Sequence, residues 1–116
     1  MSDMELRVEL NYLMDFYGPL LTEHRREVMR LYCEEDYSLA EIAAEMGITR
    51  QGVHDAVSKS QTQLEGYEQK LGLMARYQRL MVSVDECRSS LKKVIPTPGT
   101  ESHMNQALAL LDEMEP

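Results

Sequence analysis

The chain has no tryptophan, a single phenylalanine and only two cysteines, Cys33 and Cys87. Without large aromatics, its core has to be assembled from Leu, Val, Ile, Met and Tyr; nine methionines in 116 residues suit gap-filling between helices. The cysteines lie far apart, and neither stands in a CxxC or CxxH spacing, which removes the local signatures of zinc and redox sites. His24, His54 and His103 are equally scattered, so no metal site and no cofactor is expected. There is no glycine-rich phosphate loop and no GxSxG turn for an activated serine, and catalysis is not expected. No run approaches the roughly 18 apolar residues that span a bilayer. The opening MSDMELRVEL lacks the basic and apolar regions of a signal peptide, so a cytoplasmic protein without membrane insertion is expected.

Positive charge is also scarce. Twelve Lys and Arg face twenty Asp and Glu, a formal net charge of -8. Duplex binding by bulk electrostatics is therefore disfavoured, because phosphate neutralisation supplies most non-specific affinity. The charge is unevenly spread. Residues 1 to 45 hold eleven acids and four arginines, whereas residues 70 to 93 hold six bases against Asp85 and Glu86. Arg76, Arg79, Arg88, Lys92 and Lys93 mark a second basic patch on that segment.

What is present is helical periodicity. Leu6, Leu10, Leu13, Met14 and Tyr17 make an apolar stripe that Gly18-Pro19 stops. Thr22 caps a second helix bearing Val28, Leu31 and Tyr32, which runs to the solvated acids Glu34, Glu35 and Asp36. Ser38, with Glu41 three residues on, predicts a capping box for a third helix ending at Gly47. Thr49 caps a fourth. From Val53 the stripe continues through Leu64, Tyr67, Leu71 and Met74 to Leu91, which predicts one long helix, or two stacked pieces meeting near Gly72, over about 50 to 93. The spacing of Leu64, Tyr67, Leu71 and Met74 also fits a helical homodimer. Pro96-Thr97-Pro98-Gly99 breaks the chain before a short last helix capped near Thr100. The fold class is all-α, with a domain at 1–72 and a helical extension at 73–116.

Residues 38 to 64, SLAEIAAEMGITRQGVHDAVSKSQTQL, satisfy the demands of a tight helix crossing. Ala43 is small where backbones approach, Gly47 tolerates positive φ in the turn, and Val53 pins the second helix on the first. This is a helix-turn-helix, in the winged-helix-like class of nucleic-acid readers. Its exposed face offers Thr49, Arg50, Gln51, His54, Ser58, Lys59 and Thr62 as nucleic-acid-binding candidates. Arg50 and Gln51 suit base edges at a helix start, and Lys59 suits a phosphate, while Asp55 would repel one.

The segment LTEHRREVMRLYCEEDYSLAEIAAEMGITRQGVHDAVSKSQTQL resembles the fourth region of bacterial housekeeping sigma factors. The whole chain is more similar to the YlxM family of small helical proteins, through NYLMDFYGPLLTEHRREVMRLYCEEDYSLAEIA and ITRQGVHDAVSKSQTQLEGYEQKLGL, residues 11 to about 73. That family is usually encoded beside components of the signal recognition particle. The resemblance therefore implies an accessory factor of that pathway, with particle protein, particle RNA or both as partners. A recognition helix this poor in bases departs from the sigma pattern; a DNA-binding transcriptional regulator is the alternative it leaves.

Overall fold

The structure, a computed structural model, describes residues 2–115. It is helical, and no strand occurs among the described residues, so no β-wing flanks the motif and the winged-helix-like expectation is corrected. Among the described residues six helices follow one another: α1 Asp3–Tyr17, α2 Glu23–Cys33, α3 Leu39–Met46, α4 Arg50–Leu71, α5 Leu73–Lys92 and α6 Glu101–Glu113, with a 3₁₀ turn Gly18–Leu20 after α1. None of the helices among the described residues is long and apolar enough to cross a membrane.

The boundaries follow from local chemistry. Ser2, Thr22 and Thr49 accept the amides of Glu5, Arg25 and Gly52 at the starts of α1, α2 and α4. Each satisfies a helix-end N–H that would otherwise lack a partner. Ser38 and Glu41 form the complete capping box of α3: the Ser38 hydroxyl accepts from the Glu41 amide at 3.1 Å, and the Glu41 carboxylate accepts from the Ser38 amide at 3.0 Å. Those bonds hold the Glu41 carboxyl below its usual range.

The chain divides into two compact units between Met74 and Ala75. In the first, α4 packs on α1, α2 and α3. Leu10, Val28, Met29, Ile42, Val53 and Leu64 are wholly buried in its core, and Tyr17 nearly so. Burying each such side chain contributes about 1.5–3 kcal/mol relative to leaving it exposed. Tyr67 and Met74 pack against this core, while Leu71 is exposed. Most of the first heptad-like stretch is thus covered within its own chain.

Gly72 divides the segment expected at 50 to 93. It adopts the left-handed conformation at φ 62° and closes α4 with a bond from its amide to the Glu68 carbonyl. In the second unit, Arg88 ties the end of α5 to α6, lying 3.1 Å from Asp112 and 2.7 Å from Glu115. Thr100 precedes α6 without capping it; its hydroxyl accepts from the Thr97 amide at 2.9 Å and so shapes the Pro-rich turn instead.

Candidate nucleic-acid interface

The α3–α4 crossing is built at Gly47, whose φ of 67° turns the chain while its amide, and that of Ile48, bond to the Ala43 carbonyl. Ala43 is partly buried against the core, and Val53 is wholly buried. Val53, Ala56, Val57, Ser60 and Leu64 make the buried row of α4. At about 100° per residue, Gln51, His54, Ser58, Lys59 and Thr62 then occupy the opposite half of the helix, with Arg50 at its border, over about 18 Å in all. All six are exposed.

Their hydrogen bonds sort them. Thr49 is the cap: its hydroxyl accepts the Gly52 amide at 3.0 Å. The Gln51 amide nitrogen donates to Asp55 at 3.1 Å, and His54 Nδ1 lies 3.8 Å from the same carboxylate. Gln51 therefore offsets part of the repulsion Asp55 would exert, and reading a base would mean giving up that bond. The Thr62 hydroxyl donates to the Ser58 carbonyl at 3.1 Å, which leaves its oxygen to accept rather than donate. Arg50 and Lys59 enter no ion pair within 4.0 Å among the described residues.

Two residues absent from the sequence reading join this face. A shallow notch of about 380 Å³ is lined by Arg25 of α2 together with Ser58, Lys59, Thr62 and Gln63 of α4. The Arg25 guanidinium donates to the Gln63 carbonyl oxygen at 3.0 Å, and the Gln63 amide donates to the Tyr67 hydroxyl at 2.9 Å. One signal was available in the sequence: Arg25 stands three, four and seven residues before Val28, Met29 and Tyr32, in register with the buried stripe of α2.

The second basic patch does not come together. Arg88 sits among Asp85, Asp112 and Glu115, with only 16% of its side chain exposed, and those carboxylates, Glu115 first, hold its guanidinium in the charged form. Its Nη2 reaches Asp112 as an ion pair but not in hydrogen-bonding geometry. Arg76, Arg79, Lys92 and Lys93 are exposed. Arg76 and Lys92 lie about 24 Å apart along α5 and on roughly opposite sides of it.

Elsewhere in the first unit a cavity of about 400 Å³ beside α1 is lined by Asp3, Arg7, Asp36 and the exposed Met4, Val8 and Tyr12, among others. Arg7 is fully engaged there: it donates to the Tyr32 and Tyr37 carbonyls, pairs with Asp3 and Asp36, and stacks 3.8 Å from the Tyr32 ring centroid. Glu35 pairs with Arg30 while Asp36 turns to Arg7, so the acidic run points in two directions. No cluster of three metal-ligating side chains occurs among the described residues. In the first unit, then, two helices bring Arg25 and Lys59 to one notch, with Arg50 nearer the start of α4.

Comparison with known proteins places this geometry in context. Residues 4–97 match the family model "UPF0122: Putative helix-turn-helix protein, YlxM / p13 like". A UPF0122 protein of Symbiobacterium thermophilum is 48% identical over 81 residues, which cover 70% of this chain and 76% of the relative. One from Halalkalibacterium halodurans is 39% identical over 115 residues, 99% of this chain and 100% of the relative. A third, from Lacticaseibacillus casei, is 43% identical over 107 residues, 92% and 95% of the two chains.

Proposed function

Since the chain belongs to the UPF0122 family of YlxM/p13-like helix-turn-helix proteins, we propose that it is a non-catalytic, cytoplasmic accessory factor that binds nucleic acid. In this reading it serves the signal recognition particle pathway by engaging particle RNA through the exposed face of α4. The observation that carries the nucleic-acid reading is that α2 and α4 bring Arg25 and Lys59 to one notch, and that these two and Arg50, unlike Arg7, Arg30 and Arg88, enter no ion pair with a carboxylate among the described residues. In a chain of net charge -8, three unpaired cations lie on or beside α4: Arg25 and Lys59 at one notch, and Arg50 half a turn round the helix from Lys59. That number is small. Each phosphate neutralised contributes a salt slope of about 0.7–0.9, so three cations give binding that weakens quickly above moderate salt. Such affinity suits a factor acting within a larger assembly better than a repressor that must find one site alone. The pathway assignment rests on the likeness of the chain to the YlxM family. The sigma-like arrangement of residues 1–72, the separate extension at 73–116 and a homodimer belong to the same reading.

The test is a mobility comparison of the full chain with particle RNA, the particle's protein subunit and genomic DNA fragments at about 0.1 M salt. A complex with particle RNA is expected. If neither particle RNA nor particle protein shifts or co-elutes with the chain, the pathway assignment fails.

A DNA-binding regulator is the second reading, favoured by the placement of Arg50 and Gln51 in the first turn of α4, where base-edge contacts are made by helix-turn-helix proteins. Enrichment of one sequence from genomic fragments supports it, and a flat selection removes it.

A further inference from the structure

We propose that the notch between α2 and α4 is a seat for a single phosphate group, occupied in the assembled complex by a phosphodiester of the nucleic-acid backbone. The proposal rests on the nucleic-acid reading above and names the contact that reading lacked. Three observations lead to it.

Arg25 and Lys59 come from different helices yet line the same notch, with the Ser58 and Thr62 side chains beside them. The notch thus offers two cations and a hydroxyl donor in a space larger than a phosphate group needs. Arg25 is also anchored. Its Nη1 bonds to Gln63 at 3.0 Å, and Gln63 is itself fixed by Tyr67 at 2.9 Å, so a ligand meets a guanidinium whose position is already set. Most telling is the chemistry of the anchor. Gln63 is neutral, whereas carboxylates hold Arg7, Arg30 and Arg88. Arg25 is anchored without being neutralised, which is the arrangement a planar fork of donors needs if it is to take a phosphate. The carboxylates Asp55 and Glu65 of α4 accept from the neutral amides of Gln51 and Gln61 and keep their charge, so the two cations of the notch have to outweigh them.

This assigns Arg25 and Gln63 to positions the recognition helix alone does not supply. A phosphate in the notch fixes where the helix-turn-helix sits on the backbone, and Arg50, Gln51 and His54 then lie along the same helix, toward its start, to meet the bases.

The decisive substitution is Gln63→Glu, which keeps Arg25 and its anchor but supplies a carboxylate to neutralise it. Amide chemical shifts of the full chain would be followed while chloride is exchanged for inorganic phosphate at constant ionic strength. Selective, saturable shifts are expected at Arg25, Ser58, Lys59, Thr62 and Gln63 in the native chain. They should be lost in Gln63→Glu and Arg25→Gln and weakened in Arg25→Lys, which keeps the charge but not the planar fork. In parallel, the salt dependence of RNA and duplex DNA binding should lose about one unit of slope in Gln63→Glu and in Arg25→Gln.

An absence of selective phosphate shifts in the native chain overturns the seat. So does nucleic-acid binding that persists with an unchanged slope in both variants, even though the proposed function would then stand. Selective phosphate shifts in a chain that binds neither RNA nor DNA would leave the seat standing for a free phosphate and remove the nucleic-acid reading. Helical circular dichroism of Arg25→Lys and Gln63→Glu separates loss of the seat from loss of the fold.

Discussion

The Tyr17 hydroxyl donates a 2.6 Å hydrogen bond to the Glu68 carboxylate and accepts one from the Leu73 amide at 3.1 Å. The same Glu68 oxygen accepts the Met74 amide at 3.0 Å. After Gly72 turns the chain, the first N–H groups of α5 are thus capped by a phenol at the end of α1 and a carboxylate near the end of α4. A helix that restarts immediately after another needs partners for those groups, and here the partners come from 56 and 6 residues away.

Replacing Tyr17 by Phe tests that cap. The ring would still fill its place against Tyr67, whose centroid is 5.9 Å away. The Leu73 amide and the Glu68 carboxylate would each lose a partner in a partly buried setting, a cost of about 1–3 kcal/mol. Chemical denaturation should show a lower midpoint with an unchanged slope, and the amides of Leu73 and Met74 should exchange faster than those in mid-helix. Equal midpoints together with unchanged exchange at these two amides would remove the cap from the account.

Alkaline pH should weaken the first unit through Tyr17 and Cys33, with Tyr32, whose phenol burial also raises, adding to the decline above pH 10. Burial, followed by the adjacent Glu68 carboxylate, raises the Tyr17 phenol above its ordinary 10.0, and burial pushes the Cys33 thiol from 9.0 up to about 11. In both cases the unfolded chain releases its proton first. Stability is therefore full below pH 9 and falls as pH rises through 9 to 11 for Cys33, and above 10 for Tyr17. Midpoints measured across this range should decline, with a smaller slope in Cys33→Ala below pH 10 and in Tyr17→Phe above it. A flat profile in the native chain contradicts the burial of both groups.

These relationships also mark where sequence reasoning stops. The capping box at Ser38 and Glu41, the turn at Gly47 and the stripe Leu10, Leu13, Tyr17 were legible because each is a demand made within a few residues. Gly72 was ambiguous for a physical reason. Glycine within a helix costs only about 1 kcal/mol, and the apolar stripe runs on past it. What turns that weak preference into a break includes the Tyr17–Glu68 cap, which no local pattern announces. The candidate site divides in the same way. The exposed face of α4 follows from its period once Val53 and Val57 are known to face inward. The Arg25–Gln63 bond joins residues 38 apart, and Arg88 meets Glu115 27 residues away, so counting bases along α5 overstated its available charge.

The glycines of α4 and its flanks offer a paired test of the motif's geometry. At Gly47 an added Cβ meets nothing within 4 Å, so Gly47→Ala should lose only the strain of a left-handed alanine, about 1 kcal/mol. At Gly66 the space is equally open but the backbone is helical. Gly66→Ala should therefore stabilise by about 1 kcal/mol, since it removes glycine's conformational entropy and alters no contact. Opposite signs in thermal unfolding are the expected result; a stabilising Gly47→Ala would contradict the left-handed turn, and a destabilising Gly66→Ala the open helical site.

The two cysteines should differ sharply in reactivity. Both are free, but Cys33 is only partly accessible, and burial holds its thiol up at about 11, whereas Cys87 is exposed. The thiolate is the reacting species, so at about pH 7.5 a thiol of that pKa presents well under a thousandth of its population in reactive form. Iodoacetamide applied to the native chain should label Cys87 and spare Cys33, with labelling of Cys33 appearing only as denaturant opens the first unit. The rate at Cys33 then becomes a direct report on that opening, because the residue packs against the same core as Tyr17 and Leu64. Equal labelling of the two thiols in the absence of denaturant would mean that the first unit does not shield Cys33 in solution.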